Sequence, residues 1–583
     1  MAFSFRNAFV ANILILAARC ASVPPDPETL RLRTTLSSLD PHVSLSFKET
    51  HICETTPGVK SYSGYVNLPA DEAEGRPYDI HTFFWFFEAR KKARNAPLSG
   101  TVLNPWSWNN EVNMLYIDQP VQTGFSYDRL INGTIDETLL PYVVAPLPPS
   151  APTPDLNSTF LQGVFPSQDP LSTANTTLTA ARAAWHFMQI WMQEFPKYKP
   201  KHNKFSIWAE SYGGHYGPTF ARFFSAQNQR IANGSIESNA IPLHLDTVGI
   251  VNGCIDILTQ MPTYPLMAFN NTYGVEIINE EEYNSALNSF PQCRSLVETC
   301  RSLAGIHDPH AWGNATEVNS ACADAYTFCF ATMWGDVEGR GRNIYDITAP
   351  TLGHFPPKYM AGYLNSKEIQ LELGVPLNIT GLSTAAWEAF QVTGDFVLGN
   401  NLGVLGELLD QGVKVALMYG DRDYQCNWYG GEQISLAIES KFSEGFRNAG
   451  YADIRTNKTY VGGLVRQHGP LSFSRVFGAG HEAPSYQPET AYRIFNRAMF
   501  NKDVATGNIP TDRHSCDYST QGPDDISNVM NDMPAPPLQE CYLWAIFLTC
   551  TADQTEMLRN GTAIVKDYIM IGYQMANGSA HYY

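Results

Sequence analysis

Apolar residues recur along the chain with two different spacings, which predict strands that alternate with helices. Residues 205–209 alternate between apolar and other side chains, and residues 413–419 form a continuous apolar run of strand length. Residues 472–477 have the length and composition of a further strand. Helical spacing instead relates the apolar residues of 172–195 and those of 488–500. Strands that alternate with helices predict an α/β fold, in which a mostly parallel central sheet is covered by helices on both faces.

The places where this alternation is interrupted predict the domain organisation. Between about 254 and 390 the periodicity is mixed, and we expect an insertion of helices and loops that caps the sheet. A C-terminal extension covers about 505–583, and the sequence assigns it no role. Residues 1–22 contain a basic residue and a short apolar run that ends in small residues, as secretory signal peptides do. We therefore predict a signal peptide over 1–22 and a single domain over 23–583.

Composition and charge fit an exported protein. The net charge of −18 disfavours nucleic-acid binding, and no later apolar stretch is long enough to predict a membrane anchor. Eleven cysteines, of which Cys20 lies in the signal peptide, favour an oxidising compartment, either outside the cell or in a vacuole. Ten asparagines precede x-Ser/Thr and are candidate glycosylation sites: Asn132, Asn157, Asn175, Asn233, Asn270, Asn314, Asn378, Asn457, Asn560 and Asn577. The sequence does not indicate an oligomeric state.

The strand at 205–210 ends at Ser211, which is followed by Gly213, Gly214 and a stretch that can form a helix. A sharp turn from strand to helix lifts a serine hydroxyl above the sheet, close to the helix N-terminus. The usual pattern is G-x-S-x-G, and Ala209 occupies the first glycine position here. For this stretch alone, a polar strand end with a turn serine is the simpler interpretation.

Further residues downstream favour a catalytic interpretation of Ser211. A serine nucleophile needs a histidine base and an acid that orients the histidine, and in α/β-hydrolases the chain order is serine, acid, histidine. Asp421 and Asp423 follow the strand at 413–419, and His481 follows the strand at 472–477. Each residue type alone is common in loops, but the three together, in this order and just past strands, predict a catalytic triad. The residues by themselves leave both aspartates as candidates for the acid.

Longer motifs around these residues resemble the serine carboxypeptidases. The resemblance covers about residues 50–550 and is carried by AESYGGHY at 209–216, GDRDYQCNW at 420–428, GAGHEAP at 478–484, NPWSWN at 104–109, DQPV at 118–121 and GFSY at 124–127. It implies the α/β-hydrolase fold and an enzyme that releases C-terminal amino acids from peptides at acidic pH through an acyl-enzyme. It implies no metal and no organic cofactor.

The same resemblance implies a role for each catalytic residue. Ser211 corresponds to the nucleophile, His481 to the general base and Asp423, in preference to Asp421, to the triad acid. The backbone N–H of Tyr212 corresponds to one donor of the oxyanion hole.

Three further residues correspond to positions around the bound substrate. Glu210 corresponds to a carboxyl group that hydrogen-bonds the terminal carboxylate of the substrate. Cys426 corresponds to a cysteine that stays free near the substrate pocket, and Glu482 follows the histidine where carboxypeptidase Y has an apolar residue. We expect the charge of Glu482 to favour a basic leaving residue.

The cysteines predict three disulfides. Cys541 and Cys550 are near enough in sequence to pair, and the resemblance implies a nested set in which Cys293–Cys329 surrounds Cys300–Cys322. A metal site in this cluster is disfavoured because no histidine lies at ligand spacing.

One stretch departs from the family. Its members have a strand and loop that read approximately W-L-N-G-G-P-G, with a second oxyanion donor, a substrate-binding asparagine and a second carboxyl group. This chain has only Gly100 and Thr101 at that place, so about 30 residues are absent by comparison, and losing an oxyanion donor is costly. Three explanations are open: the protein has genuinely lost this loop, an exon has been dropped from the gene model, or residues near Gly100 rebuild the oxyanion hole. The alternative functions are accordingly a secreted binding glycoprotein with this fold and an acyltransferase on the same scaffold.

Overall fold

The computed structural model describes residues 29–583 except 55, 91–102, 140–142, 149, 151–155, 200–203, 237–238, 354–355 and 512–517. The predicted signal peptide and the stretch around Gly100 therefore lie outside the described residues.

The first sheet contains five antiparallel strands in chain order. They are β1 (Arg33–Leu36), β2 (Ser44–Thr50), β3 (Ser61–Leu68), β4 (Ile80–Phe87) and β5 (Met114–Ile117). A three-stranded sheet follows, formed by β6 (Leu130–Asp136), β7 (Val144–Pro146) and β8 (Phe160–Pro166).

The second large sheet contains six strands in the order β14-β15-β16-β13-β10-β9. Its strands are β9 (Lys204–Glu210), β10 (His244–Val251), β13 (Lys414–Gly420), β14 (Ala452–Arg455), β15 (Val461–His468) and β16 (Leu471–Val476). The four neighbours β9, β10, β13 and β16 are parallel, whereas β14 and β15 are antiparallel additions. The expected α/β fold is confirmed, although the parallel part is limited to these four strands.

Short strands complete the described sheets. A hairpin is formed by β11 (Arg342–Asn343) and β12 (Asp346–Pro350), and a C-terminal sheet by β17 (Ala563–Lys566), β18 (Ile569–Gln574) and β19 (Ala580–Tyr582).

Sixteen α-helices lie within the described residues. They are α1 (Thr177–Glu194), α2 (Gly213–Ala232), α3 (Ile257–Gln260), α4 (Thr263–Phe269), α5 (Glu280–His307), α6 (Thr316–Cys329), α7 (Met360–Leu364), α8 (Lys367–Leu373), α9 (Thr384–Thr393), α10 (Asn401–Asp410), α11 (Trp428–Ala437), α12 (Ser443–Asn448), α13 (Ala483–Tyr486), α14 (Pro488–Met499), α15 (Ile546–Thr549) and α16 (Ala552–Arg559).

Helices cover both faces of the parallel strands. Val248 and Ile250 of β10 pack with Ala221 of α2 in the main core. Val251, the next residue of β10, packs with Ile494 of α14 in a separate cluster. Successive side chains of a strand point to opposite faces, so α2 and α14 lie on opposite sides of the sheet.

The stretch predicted as a cap insertion contains mostly helices, from α3 to α9. Cys293–Cys329 and Cys300–Cys322 join α5 to α6, and Cys541–Cys550 closes a turn in the C-terminal region, so the structure contains the three expected disulfides. These four cap cysteines are consumed by disulfides and offer no thiolates to a metal.

The two large sheets each end at a strand with an open edge. In the part of the chain that the structure describes, nothing pairs with β5 beyond β4 or with β9 beyond β10. Every residue of β9 is half-buried or exposed, whereas Val415 to Gly420 of β13 are all buried. Tyr116 of β5 is 52 % exposed.

Both edge strands nevertheless pack against one apolar cluster, to which they contribute Leu115, Ile117, Phe205 and Ile207. The two edges therefore contribute to the same apolar cluster.

The surface of the described chain bears on two predictions. Among the described residues, no helix is long and apolar enough to cross a membrane. Eight of the ten candidate glycosylation asparagines are exposed, and Asn175 is half-buried. Asn378 is buried, and its amide nitrogen donates to Asn365 at 3.1 Å. The prediction of a glycan on Asn378 is wrong for the folded chain, because its amide is not accessible there.

Candidate active site

Ser211 lies at the turn between β9 and α2, in a conformation that side chains other than glycine rarely adopt. Its φ is +62°, and its N–H donates to the carbonyl of Val251 at the end of β10, at 3.0 Å. A Cβ at Gly213 would lie 2.5 Å from the Cβ of Ala209. The extra methyl of Ala209 is tolerated because Gly213 has no side chain. The strained turn is over-determined by its surroundings, as nucleophile elbows are.

Asp423 and His481 form a buried pair. The Nδ1 atom of His481 lies 2.8 Å from Oδ2 of Asp423, and both side chains are almost fully buried. This contact leaves the Nε2 atom of His481 as the nitrogen available to a substrate or a nucleophile. Asp421, the other candidate acid, is instead bonded to the guanidinium of Arg475 and does not contact His481.

Asn252 connects the serine turn to the acid and was not singled out from the sequence. Its Nδ2 atom donates to Oδ2 of Asp423 at 2.9 Å, and its Oδ1 atom accepts from the N–H of Gly420 at 2.9 Å. Its neighbour Val251 accepts from the N–H of Ser211. The signal was present, since Asn252 directly follows the strand β10, as Ser211 directly follows β9.

Cys426 is not free. It forms a disulfide with Cys254, and its side chain is fully buried. The N–H of Cys426 donates to Oδ2 of Asp423 at 3.1 Å, while the N–H of Cys254 donates to the carbonyl of Ser211 at 3.1 Å. The expectation of a free thiol at Cys426 is wrong because the fold brings together two loops that are 172 residues apart. Among the described cysteines only Cys53 remains unpaired.

Glu210, the last residue of β9, precedes the serine. Its side chain is exposed in part. Desolvation by the surrounding protein raises the pKa of Glu210 to about 7, although the nearby imidazole of His481 opposes the shift. Glu210 therefore carries a proton in acid.

Glu482 is a second carboxyl group at the site. Its side chain is 6 % exposed, and neither carboxyl oxygen has a hydrogen-bond partner in the described part of the protein. Burial raises the pKa of Glu482 to about 8. A buried carboxyl without partners is expected to bind a group that is not part of the protein.

His481 is held between these acids. Burial disfavours the imidazolium, but the charges of Asp423, Glu482 and Glu210 outweigh it and raise the pKa of His481 to about 9. In acid, Glu210 and Glu482 take up protons and lose their charge, which lowers the pKa of His481. The arrangement thus favours a neutral His481 base when the two glutamic acids are protonated.

Tyr212 lies directly before the first residue of α2. The first N–H groups of a helix have no acceptor within the helix, and the helix dipole adds a partial positive charge there. The phenol of Tyr212 is fixed by a hydrogen bond to Asp395 at 2.8 Å. The backbone N–H beside Ser211 is therefore placed to stabilise an oxyanion.

The chain is similar in sequence to known proteins. The sequence profile of a family described as serine carboxypeptidase matches residues 98–501. "Carboxypeptidase S1 homolog A" of Arthroderma otae is 43 % identical over 601 aligned residues, which cover 96 % of this chain and 91 % of the relative. "Carboxypeptidase Y homolog" of Arthroderma benhamiae is 39 % identical and covers 98 % and 96 %. The crystal structure of a prohormone-processing carboxypeptidase, Kex1, from Saccharomyces cerevisiae aligns over 80 % of this chain and 95 % of its own, with 16 % identity and a TM-score of 0.49.

Proposed function

The chain belongs to the serine carboxypeptidase family and is a serine-type carboxypeptidase, and we propose how its residues carry out the reaction. The observation that carries the proposal is the buried Asp423–His481 pair, joined through Asn252 and Val251 to the strained turn at Ser211. The four disulfides among the described residues indicate folding in the secretory pathway, and we propose the cell exterior or a vacuole as the destination of the protein.

Acylation begins when Oγ of Ser211 attacks the carbonyl carbon of the last peptide bond and its proton passes to Nε2 of His481. Asp423 keeps the other nitrogen protonated and stabilises the imidazolium. The N–H of Tyr212 donates to the oxyanion. His481 then gives its proton to the leaving nitrogen, so the terminal amino acid departs and an ester remains on Ser211. Water attacks this ester with His481 again as the base, which releases the shortened peptide and restores the hydroxyl.

Glu210 supplies recognition of the C-terminus. A protonated carboxyl can donate a hydrogen bond to the terminal carboxylate of a substrate, whereas an ionised one would repel it. The raised pKa of Glu210 keeps that proton in place in acid. Substrate binding therefore weakens as the pH rises through about 7.

Glu482 selects the leaving residue. Its buried carboxyl has no partner of its own, and a lysine or arginine side chain in the leaving residue would provide one. The proposal is tested by kcat/KM for two peptides that differ only in a terminal lysine or leucine. We expect lysine to be preferred, and Glu482→Gln to reduce that preference. A preference for leucine in the unmodified enzyme would contradict the role.

We also propose that this sequence lacks a strand which the intact protein contains. Supporting this are the open edges of β5 and β9, their half-buried residues and their shared apolar cluster. Interior strands without partners on one side are costly, since their backbone groups lose hydrogen bonds. The sequence of the messenger RNA across codons 95–105 decides whether an exon has been omitted.

The activity of both forms gives the functional test. We expect Ser211 of the protein with the restored segment to be labelled by an organophosphonate, and Ser211→Ala to abolish labelling. Without the donor of this segment, the turnover of the chain as printed should be about 10²–10³ lower than that of the restored form. Equal turnover of the two forms would contradict the need for the segment, and no labelling of the restored form would contradict the proposed function.

A further inference from the structure

The C-terminal extension enters the main core beside the catalytic loops. Ile526 is fully buried in that core, and the N–H of Asn531 donates to the carbonyl of Thr272 at 2.9 Å. We refer to residues 526–531 as the tail segment. It lies more than 40 residues after His481 in sequence, and the catalytic mechanism does not use it.

The tail segment binds a buried ion pair. The guanidinium of Arg475, on β16, donates to the carboxylate of Asp421 and to the carbonyls of Ile526 and Val529, the last two at 2.9 Å each. Nδ2 of Asn531 donates to Oδ2 of Asp421 at 2.6 Å. Both members of the pair are completely buried, so each of these bonds replaces lost hydration.

Asp421 holds the two loops that carry the acid and the base. Its other carboxylate oxygen, Oδ1, accepts from the N–H of Gly478 at 2.9 Å and from the phenol of Tyr273 at 2.7 Å. Gly478 begins the loop to His481, and Asp421 begins the loop to Asp423. One carboxylate therefore fixes the separation of the two loops, and the cap contributes through Tyr273.

We propose that the tail segment positions the catalytic pair. Asn531 and the carbonyls of Ile526 and Val529 hold the Asp421–Arg475 pair, and this pair holds Asp423 against His481. Asn531 is a positioning residue, since it contacts neither substrate nor the reacting atoms. The inference rests on the proposed roles of Asp423 and His481.

The test compares Asn531→Ala with Asn528→Ala in the full chain. Asn528 belongs to the same segment, but its side chain is exposed. The proton on Nδ1 of His481 is hydrogen-bonded to Asp423 and should give a far-downfield NMR resonance. We expect Asn531→Ala to shift or broaden this resonance and to lower kcat about tenfold with little change in KM, because small misplacements of catalytic groups are costly. Asn528→Ala should leave both unchanged.

The outcomes separate this proposal from the proposed function. An unchanged resonance in Asn531→Ala overturns the positioning role, and so does a rise in KM with no loss of kcat. Absence of turnover in the protein with the restored segment contradicts the proposed function, while its His481 resonance still tests the role of Asn531. If Asn531→Ala does not fold, Asn531→Ser retains a hydrogen-bond donor and should give a smaller effect in the same direction; no effect there overturns the proposal.

Discussion

At the scale of single residues, the site is a set of ionisable groups that control one another. His481 faces Asp423 directly, and Glu210 and Glu482 add charges whose presence depends on pH. Because burial raises the pKa values of both glutamic acids, their protons are retained well above the usual range for carboxyl groups. The proton retained on Glu210 supports recognition of a carboxylate, and the protons retained on both glutamic acids lower the basicity of His481 in acid. Operation at acidic pH is therefore expected from the desolvation of these two residues.

Glu482→Gln is expected to leave the acid limb of the kcat profile unchanged. The raised pKa of Glu482, about 8, keeps its carboxyl uncharged in acid, so a neutral glutamine removes no charge next to His481 there. We expect agreement with the wild type in acid for a substrate with a leucine leaving residue. The control is Glu556→Gln on α16, which is exposed and whose profile should match the wild type. A displacement of the acid limb to lower pH by Glu482→Gln would show that Glu482 is ionised in acid.

At the scale of elements, the reactive groups lie where three parallel strands end. Ser211 follows β9, Asn252 follows β10, and Asp423 follows β13 by a few residues. The Cys254–Cys426 disulfide joins two of these ends and is hydrogen-bonded through its own backbone to Ser211 and Asp423. The spacing of nucleophile and acid is therefore determined by a covalent bond as well as by the sheet.

Replacement of both Cys254 and Cys426 by serine should impair stability and catalysis together. A disulfide that closes a long loop contributes about 2–4 kcal/mol to the free energy of unfolding, and loosened spacing of the two loops should lower kcat about tenfold. The matched control replaces Cys541 and Cys550, which close a nine-residue separation in the C-terminal cluster. Its kcat should equal that of the wild type. Chemical denaturation and steady-state kinetics measure the two effects, and unchanged kcat in the first variant would contradict the positioning by the disulfide.

At the scale of the whole molecule, buried acids make the folded state depend on pH. Burial raises the pKa values of Glu137 and Glu482 to about 8, and both side chains are nearly inaccessible. In the unfolded chain such groups lose their protons near pH 4.5, so above that value the unfolded state binds fewer protons than the folded state. Stability therefore falls as the pH rises from about 4.5 to 8. His481 acts in the same direction, since its contribution is lost as the pH rises through its folded pKa of about 9.

The midpoint of thermal unfolding is expected to be higher at pH 5 than at pH 8. Each buried acid adds a slope of about 1.4 kcal/mol per pH unit at most. Glu482→Gln should flatten the dependence and raise the midpoint at pH 8, whereas Glu556→Gln should leave the curve unchanged. Calorimetry across this range provides the measurement. A midpoint that increases steadily towards pH 8 would mean that these acids ionise without cost in the folded protein.

The sequence by itself determined the α/β class and the order of Ser211, the acid and His481. Both follow from local patterns, because a reactive residue just past a parallel strand lies at the same sheet edge as its counterparts. The nested disulfides of the cap were implied by the resemblance to the serine carboxypeptidases. The tertiary structure decided the remainder. It places Asp423 rather than Asp421 against His481, pairs Cys426 with Cys254, buries Asn378 and brings the tail segment to Arg475. It also forms two large sheets among the described residues, one of which ends at β5 and the other at β9. Each of these outcomes depends on contacts between residues far apart in the chain, and local periodicity carries no information about such partners.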